Sequence, residues 1–179
     1  MSSNVIDGDP NYNFTDGVLV HGDDFSPLGG CSAHLWGKAT ARRDDAQAFV
    51  VDISGKTFPP GTWKSSSITV AADMTVILDG EGDPDSKFLF QSTTHMVFGA
   101  SVKFKLINGA KWENVLWATG TYFTAGASVD FYGSILATGK VVLGASTTVH
   151  GCVISLASVM FGASVLLTVV ASPKTIADS

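Results

Sequence analysis

The chain has 179 residues, 45% of them apolar and only 15% charged, with 19 glycines and a formal net charge of -5. One domain is expected from that length, with a core large enough to hold without staples. The apolar share excludes a disordered charged tail, the shortage of charged residues excludes a coiled coil, and the negative balance argues against nucleic acid, whose phosphates want a basic face.

Charge is spread unevenly: residues 1–90 carry 6 Lys/Arg against 13 Asp/Glu, and residues 91–179 carry 5 against 3. A second half so poor in charge is either covered by a partner or presents an uncharged surface. The first residues, Met1-Ser2-Ser3-Asn4, have no basic start and no apolar run, so no secretory leader is visible. Asn13-Phe14-Thr15 is an N-glycosylation acceptor. Residues 1–31 read as an N-terminal segment of a single domain spanning 1–179.

Over residues 32–53 the apolar period turns helical. Leu35, Trp36, Ala39, Ala46, Phe49, Val50 and Ile53 mostly share one face, Ser32 offers a cap, and Gly55 a stop. Pro59-Pro60-Gly61 is a turn. From residue 62 to 170 the pattern is short strand-like runs. The longest apolar stretch, residues 159–171, is interrupted by Gly162, Ser164 and Thr168 and falls short of the ~20 residues a membrane span needs.

Those runs repeat. Gly-Ala-Ser recurs at Gly99, Gly126, Gly144 and Gly162, with spacings of 27, 18 and 18. Phe98, Ala125, Leu143 and Phe161 precede the triplets, and Phe104, Phe131, Val149 and Leu167 follow at a fixed offset. This predicts a mostly β fold: a β-solenoid whose coils stack ~4.8 Å apart, each with three runs and a triangular cross-section. The triplets would form a ladder at one corner, with Ala127, Ala145 and Ala163 crowded against one another. The long 27-residue spacing holds an extra loop, residues 108–114. The paired apolar residues Ile135-Leu136 and Val153-Ile154 predict one solenoid face that is apolar inside and out, where the helix would dock.

Several landmarks run together: Pro60-Gly61-Thr62-Trp63-Lys64, Lys87-Phe88-Leu89-Phe90-Gln91, Ile107-Asn108-Gly109-Ala110, Asn114-Val115-Leu116-Trp117 and Gly133-Ser134-Ile135-Leu136-Ala137. With these the chain resembles the microbial ice-binding (antifreeze) protein family. The resemblance implies a right-handed β-solenoid with one long α-helix packed alongside, secretion to the extracellular space, and an ice crystal surface as the partner. The expected state is a monomer, with no cofactor, no metal, no nucleic acid, no membrane and no catalysis. The resemblance also implies an ice face formed by Ser67, Thr69, Thr94, Val97, Thr119, Thr121, Thr124, Thr138, Val142, Ser158 and Met160. Within that face Ser66-Ser67-Ile68-Thr69 and Thr121-Tyr122-Phe123-Thr124 match the family's threonine pattern best, while His95, Tyr122 and Lys140 add bulk.

The chemistry fits an uncharged target. Ice offers no charge and no pocket, so its binder needs a flat, rigid patch of small hydroxyls and methyls, which threonine supplies with a stiff χ1. Outward threonines are also ordinary strand residues. A second exposed face, Lys103, Asp130, Thr148 and Leu166 with Lys105, Tyr132, His150 and Thr168, is too charged and uneven for ice. The alternate carboxylates of residues 79–85 suggest calcium, but Phe90 stands where the bidentate Glu is needed, so a solvated turn is expected. His21, His34, His95 and His150 make no local metal pair, and Cys31 and Cys152 are either one disulfide or two buried thiols. The alternatives are a carbohydrate- or surface-binding adhesive module and a polysaccharide-degrading β-solenoid enzyme. The latter needs an acid-lined groove, and this half has three acids.

Overall fold

A computed structural model of the protein describes Tyr12–Thr15, Val18–His21 and residues 47–168. Strands β1 (Tyr12–Thr15) and β2 (Val18–His21) pair antiparallel as a separate two-stranded sheet.

From residue 47 the chain winds in coils that visit three sheets in a constant order. The first coil holds β3 (Gln47–Ala48), an isolated bridge at Asp52, and β4 (Thr57–Phe58). The second holds β5 (Gly61–Ser65), β6 (Ile68–Val70) and β7 (Thr75–Asp79). The third holds β8 (Phe88–Ser92), β9 (Met96–Phe98) and β10 (Lys103–Ile107). The fourth holds β11 (Val115–Thr119), β12 (Phe123–Ala125) and β13 (Asp130–Tyr132). The fifth holds β14 (Ser134–Ala137), β15 (Val141–Leu143) and β16 (Thr148–His150). The sixth holds β17 (Val153–Ser155), β18 (Val159–Phe161) and β19 (Leu166–Thr168). The first strand of each coil builds sheet I, the middle one sheet II and the last sheet III. Neighbours in all three sheets run parallel. The described chain is mostly β, a β-solenoid-like stack.

The repeat read from the triplets is the structural register. Phe98, Ala125, Leu143 and Phe161 align in sheet II, and Phe131, Val149 and Leu167 in sheet III. Inward residues of all three sheets meet in one core. On sheet I the inward column is Trp63, Phe90, Trp117, Ile135 and Val153, so the core passes from aromatic to aliphatic along the stack. Each fully buried side chain contributes on the order of 1.5–3 kcal/mol.

The Gly-Ala-Ser corner explains why the coils stay in register. In each triplet the glycine N–H donates to the previous coil, as Gly126 does to Phe98 at 2.8 Å, and in the first three the serine N–H donates to the next, as Ser128 does to Ala145 at 2.8 Å. Ser101, Ser128, Ser146 and Ser164 all take φ between 57° and 59°, a left-handed turn that non-glycine residues adopt at some cost. Asp73 has the same φ, 61°, at the corresponding corner of the second coil, which carries no triplet. The crowding differs from the sequence expectation. Ala127, Ala145 and Ala163 are exposed; the glycines are the close approach, since a Cβ on Gly126 would lie 2.6 Å from the Ala100 nitrogen. The alanine methyl points outward because the backbone, not the side chain, meets the next coil.

The expected helix over 32–53 needs a second correction. Residues 32–46 lie outside the described residues. Residues 47–53 are extended: Gln47 and Ala48 pair with Trp63 and Lys64, the Phe49 N–H donates to Lys64 at 3.2 Å, and the Ile53 N–H to Thr69 at 3.0 Å. The free edge of the second coil supplies these acceptors and draws the segment into the first coil. Phe49 packs edge-on against Phe58, Trp63 and Phe90, and Ile53 is fully buried.

The two long coils place their extra residues together between sheets III and I. Gly80 N–H donates to Ile107 and Gly82 N–H to Asn108, so the loop after β7 stacks on the loop after β10, which includes a 3-10 turn at Trp112–Asn114.

Candidate functional site

Three outer faces are offered by three sheets, and two are unsuited to a flat, uncharged target. On sheet I the outward Leu89, Leu116, Leu136 and Ile154 are as buried as the inward column, and β2 lies against β17. This is the face apolar inside and out that the paired apolar residues predict. Sheet III carries Lys103 in register with Asp130. The Asp130 carboxylate meets His150 Nε2 at 3.0 Å and accepts from the Tyr132 hydroxyl at 3.3 Å, while the Tyr132 and His150 rings stack at 4.5 Å. Burial first, then the Asp130 charge and hydrogen bond, push the Tyr132 hydroxyl above its ordinary pKa.

Sheet II is the remaining face. Each strand has three residues, and in β6, β9, β12 and β15 the outer two are buried and the middle one points out; in β18, at the end of the stack, Val159 is buried and Phe161 is exposed. The middle residues form one column in register: Thr69, Val97, Thr124, Val142 and Met160. Their inward neighbours, Ile68, Met96, Phe123 and Val141, are fully buried and anchor the column to the core. Threonine and valine have the same branched shape, so from Thr69 to Val142 the column alternates hydroxyl and methyl without changing height, and the longer Met160 ends it. At its first-coil end the column meets Asp52, bridged to Thr69. The Asp52 carboxylate accepts from the Ser54 hydroxyl at 2.6 Å and the Ser54 N–H at 2.9 Å, which hold it below its ordinary pKa.

The corner between sheets I and II is a ladder of hydroxyls that hold backbone. Thr94 Oγ1 donates to the Ser66 carbonyl at 2.7 Å, Thr121 Oγ1 to Thr94 at 2.8 Å, and Thr138 Oγ1 to Gly120. These three side chains are exposed, but their hydroxyls are committed to the coil beneath. Thr119 is different: it is only 4% exposed, its hydroxyl donates to the Thr94 carbonyl at 2.7 Å, and it accepts from Ser92 Oγ at 3.0 Å. It fixes the corner from inside and offers no surface. The repeated Thr-Gly steps signal this corner in the sequence, but not the direction of each hydroxyl.

Between corner and outer column runs a middle column, one residue before the aligned inward positions: Ser67, His95, Tyr122, Lys140 and Ser158. The N–H of the next residue reaches across it each time, from Ile68 to His95, Met96 to Tyr122, Phe123 to Lys140 and Val141 to Ser158, at 2.8–3.0 Å. The expected site residues therefore fall into three rows, with two exceptions: Thr119 points inward, and Thr138 stands one position before the Thr94–Thr121 row, where Gly139 aligns. The stacking of His95 on Tyr122, at 5.0 Å with planes 5° apart, is what sequence reasoning missed.

The remaining candidates have local explanations. In the acidic loop Asp79 Oδ1 accepts from the Glu81 N–H and Asn108 Nδ2, and Asp83 Oδ1 from the Asp85 N–H, so these carboxylates brace the loop backbone. Cys152, buried on sheet I's outer side, is disulfide-bonded, and Cys31 is the chain's other cysteine. No described helix is long and apolar enough to cross a membrane.

The proteins this chain resembles share a theme. Ice-binding protein 1 of Shewanella frigidimarina is 32% identical over 96 residues, 53% of this chain and 11% of that protein. The crystal structure of an ice-binding protein from the Antarctic ascomycete Antarctomyces psychrotrophicus matches 69% of this chain and 61% of its own, at 29% identity and a TM-score of 0.64. A glycosylated ice-binding protein from an Arctic yeast, 23% identical, shows the same fold over 93% of this chain and 76% of its own, with a TM-score of 0.71. The chain thus spans only part of the relatives it matches. The family model described as Ice-binding-like matches residues 33–166, three quarters of the sequence, and the chain belongs to that family.

Proposed function

We propose that this protein adsorbs to ice through the outer face of sheet II and restrains the growth or recrystallisation of ice. The observation that carries the reading is the in-register column Thr69, Val97, Thr124, Val142 and Met160, standing on a buried row in a chain of the ice-binding-like family. Stacking sets the column at the ~4.8 Å repeat of paired strands, and the core prevents its side chains from drifting. Methyls and hydroxyls held that way can order a layer of water that merges with the crystal. Ser67 and Ser158, and the corner threonines Thr94 and Thr121 with Thr138 one position before them, lie beside the column.

The solenoid is right-handed and triangular in section on this reading, acts as a monomer outside the cell, and needs no cofactor or catalysis. Extracellular placement is supported by the disulfide at Cys152, since such bonds persist in oxidising compartments. The test is to watch a single ice crystal in a supercooled droplet of the pure protein. Faceted growth, or a gap between melting and freezing, is the expected outcome. Smooth, disc-shaped growth at high protein concentration would reject the function.

A further inference from the structure

The middle column of sheet II has a profile that the other two rows lack. Its ends are small, Ser67 and Ser158, and its centre is tall: His95, Tyr122 and Lys140 on three successive coils. The tall part is also stiff. His95 and Tyr122 stack with planes 5° apart at 5.0 Å, about the rise between coils, and Thr94 Oγ1 lies 3.3 Å from His95 Nδ1. Tyr122 keeps 36% of its surface exposed. A loose side chain would move aside when a solid surface approaches; two rings that brace each other, beside a lysine that must keep its ammonium hydrated, do not.

From this, and resting on the assignment of sheet II as the ice face, we propose that the His95–Tyr122 stack with Lys140 is a spacer. It divides the face lengthwise and determines how much of it meets ice. The Thr94, Thr121 and Thr138 corner lies on one side of the spacer, and the Thr69, Val97, Thr124 and Val142 column on the other. A flat lattice plane resting against the Thr69, Val97, Thr124 and Val142 column is held off the corner, so the protein engages ice along a strip one residue wide. His95, Tyr122 and Lys140 are thus specificity-determining residues whose bulk lowers activity and limits the lattice planes that fit.

The proposal predicts gain of activity from removal of side chains. His95→Ala/Tyr122→Ala should widen the gap between melting and freezing relative to the parent at equal concentration, and should label more planes of a hemispherical ice crystal when the protein is fluorescent. Tyr122→Ser, which matches Ser67 and Ser158 in the same column, is the milder variant if the double one melts early. Thr124→Tyr is measured alongside. If Thr124→Tyr loses activity while neither spacer variant gains any, the spacer is overturned and the ice face stands. If Thr124→Tyr matches the parent, the face is misassigned and the spacer falls with it.

Discussion

Trp117 stacks on Phe90 with ring centres 4.1 Å apart and planes 9° from parallel, each ring supplied by a different coil. The indole N–H also donates to the Tyr132 carbonyl at 3.1 Å, which ties the inward column of sheet I to the end of a sheet III strand. One residue therefore holds two coils and two walls. Trp117→Ala should cost about 3–5 kcal/mol, the range for emptying a large aromatic site. Thermal or denaturant melting checks it, and a loss below about 1 kcal/mol would show that the aromatic column is not the centre of the core.

The corner ladder makes a paired prediction. Gly126→Ala would force a Cβ to 2.6 Å from the Ala100 nitrogen, and backbone cannot move aside as a flexible side chain can. A loss of about 1–3 kcal/mol is expected from that overpacking. Ala127→Leu, one residue along, places its bulk in solvent and should change stability by no more than about 0.5 kcal/mol. Equal melting of the two variants would mean the close contact is not where the structure puts it.

How much of this was legible in the sequence depends on what kind of signal each feature leaves. The coil register was legible because small triplets at spacings of 27, 18 and 18 leave a literal repeat. The doubly buried face was legible because Ile135-Leu136 and Val153-Ile154 put apolar residues on both sides of a strand. Residues 47–53 read as helix for a physical reason: Phe49 and Ile53 are four apart, a separation that fits a helical face and also every second residue of an extended chain. The partner edge, invisible in a sequence, decides between them. The triplets alone do not say whether glycine or alanine is the crowded residue, because composition does not say which atom of a triplet meets its neighbour. On the candidate face, the threonines were identifiable, but that Thr119 points inward and that His95 stacks on Tyr122 depend on the exact offset between coils.

Two titrating groups make opposite predictions at the ends of the pH scale. Asp52 is held below its ordinary pKa chiefly by the Ser54 hydroxyl and N–H. Its stabilising contribution is present above the ordinary aspartate value of about 3.9 and fades as pH falls through the lowered native value. Tyr132 is raised, mainly by burial and then by Asp130. Its contribution is present below the ordinary tyrosine value of about 10 and is lost as pH rises through the raised native value. Melting temperature against pH should therefore lose part of its acid slope in Asp52→Asn and part of its alkaline slope in Tyr132→Phe. Unchanged limbs in both would contradict the hydrogen bonds assigned here.

The disulfide at Cys152 should matter for stability rather than for the shape of the ice face, since it lies on sheet I. Reduction is expected to lower stability by about 2–4 kcal/mol while leaving the register of sheet II intact. Melting with and without reductant, at a temperature where both forms are folded for the activity comparison, separates the two effects. Loss of ice activity in a still-folded reduced protein would contradict this division.

The most direct measurement compares one substitution on two faces. Thr124→Tyr and Thr148→Tyr make the same chemical change at outward, partly exposed positions of sheets II and III. Both should fold and melt within about 0.5 kcal/mol of the parent, as surface changes usually do. The freezing gap of the two variants is then measured at matched concentration. The assignment of sheet II predicts that Thr124→Tyr loses most of the gap, because a protruding ring lifts the column off the lattice, and that Thr148→Tyr keeps it. The reverse pattern would place the ice face on sheet III, and an unchanged gap in both would contradict binding through either surface.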